Sequence, residues 1–239
     1  MTVLDALQDA PQGLSLGAIA SHTSLARSTV QRLVAALERE RLVVPVGSGT
    51  GVRLGPGWLH LAASMPAAIP ANAREVLVAL SEELQETVVV AMVCGRRLLV
   101  VDQIPGNQRL QVVSSIGESL PLCCTANGKA YLAELPDAAV NSCIGSAFER
   151  RDRRTVKPLA ALLDELTAVR RTGFALDREE NTIGVCAVGI ALPLPRGGYA
   201  TISVPVPAAR VSRLKNPISG SLLEAKQFLI ASLGRAGVE

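Results

Sequence analysis

From Leu14 to Leu59 the chain reads LSLGAIASHTSLARSTVQRLVAALERERLVVPVGSGTGVRLGPGWL, and its apolar positions follow first a helical and then an extended pattern. Val30, Leu33, Val34 and Leu37 recur at i, i+3, i+4 and i+7 and so form one stripe on a helix. The opposite face carries Ser28, Gln31, Arg32, Ala35 and Arg39. Ser28 and Gln31 have capping-box spacing, and a start one turn earlier near Ser24 is equally compatible. A shorter helix precedes it over about 15–21, capped by Ser15, with Leu16, Ile19 and Ala20 turned inward and His22 to Leu25 as the turn. Leu42 to Val46 reads as a strand, 47–51 (GSGTG) as a glycine-rich tip and Val52 to Leu54 as the return strand. Two helices, a turn and a hairpin in this order predict a winged helix-turn-helix.

Gly55-Pro56-Gly57 closes the wing, and a linker helix is expected from Trp58 to Met65, broken by Pro66 and Pro70. Trp58, the only tryptophan, either packs on its own domain or joins Leu59, Leu61 and Ala62 in a surface that a symmetry mate covers. A second domain opens at Ala73 with a helix whose inner face is Val76, Leu77, Leu80 and Leu84. Two apolar runs, Thr87 to Cys94 and Leu98 to Ile104, flank Gly95-Arg96-Arg97 as a hairpin, and a third strand is expected over Arg109 to Ser114. Helices follow at Asn127 to Glu134, Asp137 to Ile144 and Leu159 to Arg171, the last closed by Gly173. A second hairpin, Val185 to Leu194 and Tyr199 to Pro205, turns at Arg196-Gly197-Gly198, and Leu222 to Leu233 forms a closing helix. Hairpins with intervening helices argue for α+β with an antiparallel sheet. The expected domains are 1–56 (DNA-binding), 57–70 (linker helix) and 71–239 (effector-binding). Val3, Leu4 and Leu7 start the apolar pattern almost at Met1, so the first helix is expected short or frayed, or else natural residues precede it.

Composition narrows the class. With 49% hydrophobic and only 3% aromatic residues among 239, two aliphatic cores are expected. No run of about 18 uncharged apolar residues occurs, nor a basic segment leading into an apolar one at the start, so neither a membrane partner nor export is expected. A net charge of +3 is too small to attract DNA globally, so a basic face has to be local. The five cysteines are read as reduced, buried thiols of a cytoplasmic protein. No C-x-x-C occurs and both histidines, His22 and His60, precede the second domain, so no metal or cofactor is expected.

Between Arg27 and Arg53 five arginines face only Glu38 and Glu40. That balance favours double-stranded DNA as partner over a packing module with a merely solvated face. Arg27, Ser28, Thr29, Gln31 and Arg32 are the expected contacts of the second helix, and Arg53 that of the wing.

The segment from Leu14 through RLGPGWL resembles the N-terminal domain of IclR-type transcriptional regulators. Residues 81–87 (SEELQET), 117–133 (GESLPLCCTANGKAYLA) and 169–188 (VRRTGFALDREENTIGVCAV) resemble successive landmarks of that family's effector domain. The resemblance implies a GAF-like sensory domain with a small-molecule pocket at Cys124, Thr125, Ala126, Asn127, Asp177, Ala187 and Ser203. Two departures matter. The family's pocket cysteine falls one residue early, at Cys186, and the second serine of its S-V-S motif is Pro205. Each lost polar anchor forgoes roughly 1.5 to 3 kcal/mol of charge-assisted hydrogen bonding to a small keto acid. The expected effector is therefore larger, less polar and aromatic.

Catalytic machinery is not expected. No histidine occurs from residue 67 onward to serve a cysteine, and GSGTG leads into a strand, not a helix. Asp177, Glu179 and Glu180 are read as a solvated acidic loop, and Arg150, Arg151, Arg153, Arg154 and Lys157 as a solvated basic one. A single helix-turn-helix offers few contacts, so a homodimer or a dimer of dimers on paired half-sites is expected. A constitutive DNA-binding protein and an enzyme with an appended DNA-binding domain remain the alternatives.

Overall fold

The computed structural model describes residues 2–8, 10–47, 51–64, 71–144, 158–195 and 197–236. The wing tip at 48–50, the end of the linker helix, Arg196 and the basic stretch at 150–157 lie outside the described residues. The chain divides into two compact units, Met1–Ala67 and Ala68–Glu239.

The first unit holds α1 (Val3–Gln8), α2 (Leu16–Thr23), α3 (Arg27–Arg39), β1 (Val43–Val46), β2 (Gly51–Leu54) and α4 (Gly57–Ser64). Helix α1 is short, as the early apolar pattern predicts. Thr2 and Asp5 cap it reciprocally, Thr2 N donating to Asp5 Oδ2 at 2.8 Å and Asp5 N to Thr2 Oγ1 at 3.2 Å. Those bonds hold the Asp5 carboxyl below the usual carboxylate range. Ser15 caps α2 as expected, its hydroxyl accepting from Ala18 N at 3.1 Å. Helix α3 starts at Arg27 instead, with Ala26 at its cap and no side-chain bond there. Ser24 closes α2 in a left-handed conformation and Ser28 lies inside α3, so neither serine begins the recognition helix. Val3, Leu7, Ile19, Val30, Val34, Val43 and Val52 form the core. Leu33, at the edge of the predicted stripe, stays 42% exposed, because the short helices reach only Val30, Val34 and part of Leu37.

Gly55 fixes the angle at which the wing ends. A Cβ there would collide with the Arg41 carbonyl oxygen and stand 3.0 Å from Val44 Cγ1. Trp58 Nε1 donates to the Leu42 carbonyl at 2.8 Å, so the indole is anchored on its own unit.

The second unit is a six-stranded antiparallel sheet in the order β5-β4-β3-β8-β7-β6. Its strands are β3 (Val88–Cys94), β4 (Arg97–Ile104), β5 (Ser119–Pro121), β6 (Ala175–Arg178), β7 (Val185–Pro193) and β8 (Tyr199–Pro207). Helices α5 (Ala71–Leu84) and α9 (Ala208–Ala236) pack on one face, where Leu77, Ile190, Ile202 and Leu222 are buried. Helices α6 (Ala126–Ala133), α7 (Asp137–Ile144) and α8 (Leu159–Thr172) belong to the other, around Leu98, Leu132 and Leu166.

Three expectations change. Arg109 to Ser114 is not a strand: Leu110 and Val113 are 66% and 56% exposed, and Ser114 N bonds the Gln103 side chain at 2.6 Å instead of a neighbouring strand. The edge position next to β4 is taken by β5. Strand β6 has too short a pattern to read and is held by its register with β7, Ala175 opposite Gly189 through Arg178 opposite Cys186. Helix α9 begins fourteen residues before Leu222 and runs through Pro217. Ile218, Leu222, Ala225 and Leu229 bury one stripe along it, and that burial outweighs the bond Pro217 cannot donate.

Candidate functional sites: a DNA-facing helix and a ligand cavity

Helix α3 turns Val30 and Val34 into the core, and this rotation fixes which side chains face outward. Ser28, Arg32, Ala35 and Arg39 lie opposite the core and are all exposed. Arg39 Nε donates to the Ala35 carbonyl at 3.3 Å and so lies along its own helix. Arg27 and Gln31 stand to one side of that face, in a groove shared with Ser15 at the start of α2 and with Pro45 and Gly51 of the wing. Thr29 and Arg53 are exposed outside the groove. Glu38 lines the groove too, so its basic character comes from Arg27 against one nearby carboxylate.

The second unit contains a cavity of about 540 Å³, within the range of small-molecule sites. Strand alternation decides what enters it. On β7 and β8, Ala187, Ser203 and Pro205 point into the cavity, while Cys186, Val188 and Val204 point into the core under α5 and α9. Ala187 pairs with Pro205, and Ser203 sits between Gly189 and Val89. Helix α6 can approach this closely because Gly189 has no Cβ, which would stand 2.9 Å from the Ala126 carbonyl carbon.

Of the eight residues that the resemblance and the early cysteine nominate, Thr125, Ala126, Asn127, Asp177, Ala187 and Ser203 line this cavity. Cys186 and Cys124 do not. Cys186 is on the wrong face of β7 by one residue, and burial raises its thiol pKa. Cys124 is buried, and its hydrogen bond with Cys123, then burial, keep its thiol protonated. The expectation of uniformly buried cysteines also fails, since Cys94 is exposed and Cys123 and Cys143 are half-buried.

Part of the polar lining is already committed. Thr125 caps α6, accepting from Gly128 N at 3.0 Å and donating to the Pro121 carbonyl at 2.7 Å. Asn127 Nδ2 donates to Thr201 Oγ1 at 3.0 Å. Asp177 Oδ1 accepts from Glu180 N at 2.8 Å, and burial pushes the Asp177 carboxyl up to about 7.

The acidic loop is not solvated. Glu180 and Asp177 are buried, and Glu179 accepts from Gly184 N at 2.8 Å. The buried Glu180 charge is met by Lys129, itself wholly inaccessible, whose Nζ donates to Glu180 Oε1 and to Glu165 Oε1, both at 2.8 Å. Sequence reasoning missed Lys129. Its signal was one lysine inside the otherwise small and apolar ANGKAYLA, where helical burial forces it to find carboxylates. Also missed were Leu110, Val112, Val113 and Asn181 in the cavity wall, the first three because they were assigned to a strand. Among the described residues, no cluster of potential metal ligands occurs and no helix is long and apolar enough to cross a membrane.

Known proteins match both parts of the chain. The family described as Bacterial transcriptional regulator IclR C-terminal matches residues 62–227, and the IclR helix-turn-helix domain matches residues 1–47. The chain is 42% identical over 221 residues to the HTH-type transcriptional regulator Rv1719 of Mycobacterium tuberculosis, covering 92% of this chain and 85% of that protein. It is 36% identical over 235 residues to the HTH-type transcriptional regulator TtgV of Pseudomonas putida, covering 98% and 90%. Its fold matches that of an IclR homolog from Microbacterium hydrocarbonoxydans complexed with 4-hydroxybenzoate, with a TM-score of 0.76, 20% identity and coverage of 98% and 96%. The chain, matched in both its DNA-binding and its C-terminal parts, belongs to the IclR family of bacterial transcriptional regulators.

Proposed function

We propose that this chain is a ligand-responsive regulator in which an organic effector occupies the 540 Å³ cavity and thereby changes operator binding by α3 and the wing. Ser28, Gln31 and Arg32 are assigned to base edges, and Arg27, Thr29 and Arg53 to the phosphate backbone. One helix-turn-helix makes few contacts, so the chain acts as a homodimer or a dimer of dimers on half-sites about one helical turn apart. Its partner is chromosomal DNA, which places its work in the cytoplasm. The reading assigns no catalytic step.

The observation that carries this reading is the cavity itself, where Asp177 and Ser203 stand among the apolar side chains of Val89, Leu120, Val185 and Pro205. Such a wall favours an aromatic effector over a small keto acid. The 4-hydroxybenzoate complex of the Microbacterium homolog supports an aromatic ligand in this fold. An effector acts only by binding the DNA-competent and DNA-incompetent states with different affinity. A thermal-shift panel of naphthalene-sized compounds tests the reading. A true effector at 100 times its dissociation constant adds about 2.7 kcal/mol of stability. If no member of the panel shifts the melting of the second unit, a constitutive DNA-binding protein becomes the better account.

A further inference from the structure

A smaller cavity of the second unit, about 280 Å³, shares no lining residue with the effector cavity. It lies between the β3–β4 turn, the segment that follows β5, and the end of α7. Two half-buried thiols, Cys123 and Cys143, line it together with Arg96 and Arg97. Among the described residues no carboxylate lines it, so its field is positive. Exposed Arg96 donates from Nε to the Cys143 carbonyl at 2.8 Å, which holds its guanidinium against the end of α7. Arg97 donates from Nη2 to the Ser119 carbonyl at 3.0 Å. Nucleophilic sulfur and cationic side chains thus meet in one recess.

The surroundings distinguish the two sulfurs. Cys143 lies in the last turn of α7, where the helix dipole opposes negative charge. Cys123 lies two residues before Thr125, the N-cap of α6, at the helix end that favours it. Its neighbour Cys124 is buried and stays protonated, chiefly through its bond with Cys123, so an S–H hydrogen is directed at the Cys123 sulfur. A donated hydrogen bond and cationic neighbours both favour the thiolate, which is the attacking form. We propose that Cys123 is a modification site for small disulfides that carry carboxylates. The Cys123 thiolate attacks one sulfur of the reagent, and a bond forms between them. The reagent's own S–S bond breaks, and its other half leaves as a thiolate that takes a proton from water. Cys123 is oxidised and the leaving sulfur reduced, so the reagent itself is the oxidant. Arg96 and Arg97 receive its carboxylate. Exposed Cys94, at the end of β3, lies outside this recess.

The test treats the reduced full chain with three disulfides of one shape: dianionic 3,3′-dithiodipropionate, neutral 2-hydroxyethyl disulfide and dicationic cystamine. Each reaction is stopped with acid at successive times, and peptide mass spectrometry with fragmentation locates the adduct. Rates are divided by those of an unstructured cysteine peptide, which removes the intrinsic reactivity of each reagent. Cys123 is expected to carry the first adduct. Its normalised rate should be about tenfold or more greater with the dianion than with the dication, with the neutral reagent between them. Arg96→Gln, a change at an exposed side chain, should narrow that ratio, as should high salt in the unaltered protein. The ranking in the unaltered protein decides the proposal even where the variant fails to fold. First labelling at any cysteine other than Cys123, or equal normalised rates for the three reagents, overturns it. Neither result bears on the effector cavity, which shares no lining residue with this one.

Discussion

Replacing Lys129 by methionine keeps the length and apolar stem of the side chain and removes only its charge. Lys129 is inaccessible to solvent, and its ammonium holds two carboxylates at 2.8 Å. The two lose unequally. The Glu165 side chain is 22% exposed and can turn to water, whereas Glu180 is 6% exposed and cannot. Breaking a buried ion pair by deleting one partner costs about 3 to 5 kcal/mol. Because one of the two acids can rehydrate, the lower end applies, about 3 kcal/mol. For a unit of this size that lowers the melting temperature by roughly 6 to 12 °C. Lys129→Met combined with Glu165→Met and Glu180→Leu removes every charge of the triad and is expected to recover most of the loss. Scanning calorimetry of the three proteins at pH 7.5 provides the comparison. A Lys129→Met variant melting with the unaltered protein, or a triple variant less stable than the single one, refutes the account of the buried triad.

Arg32→Ala and Gln31→Ala should each weaken operator binding by about 1 to 3 kcal/mol and relax base preference, while Arg53→Ala lowers affinity on all sequences and reduces the salt slope by about one. Gel-shift titrations on operator and scrambled DNA at two salt concentrations separate these effects. Gly55→Ala drives a Cβ against the Arg41 carbonyl and should destabilise the first unit by about 1 to 3 kcal/mol, seen as faster hydrogen exchange in β1 and β2. Asp177 carries a pH dependence of definite sign. Its folded pKa of about 7 lies above the ordinary 3.8, so the folded state retains a proton that the unfolded chain releases. Its contribution to stability therefore falls as pH rises from about 4 to 7 and is flat outside that window. Asp177→Asn should flatten melting temperature against pH between 4 and 7.

The sequence was most legible where one local pattern sufficed. Ser15 at the α2 cap, Val30 and Val34 beneath α3, and the β3–β4 and β7–β8 hairpins all follow from spacing alone. Errors arose where distant residues decided. The α9 stripe runs through Pro217 because the sheet buries Ile218 and Leu222, which no local reading of the proline reveals. Leu110 to Ser114 had the composition of a strand, but Gln103 and Arg210 hold that segment as a cavity wall. The site itself was half visible. Asp177, Asn127 and Ser203 were nominated through the family resemblance and line one cavity. Cys186 was lost to the two-residue period of β7, which puts its neighbour Ala187 in the cavity instead. Buried Glu180 is paired with Lys129, 51 residues before it in the chain, and charge counting along the sequence could not anticipate that pairing.

The central claim is that occupancy of the cavity governs DNA binding, and coupling between the two sites is its most direct measure. Operator affinity is to be determined by fluorescence anisotropy with and without the tightest-binding naphthalene compound, for the unaltered chain and for Asp177→Ala and Ser203→Ala. The account predicts that the compound changes the dissociation constant for operator by about 5- to 150-fold in the unaltered chain. In the variants that response is reduced or abolished, while ligand-free operator affinity stays within about twofold. An operator affinity indifferent to a compound that occupies the cavity, or an undiminished response in both variants, contradicts it.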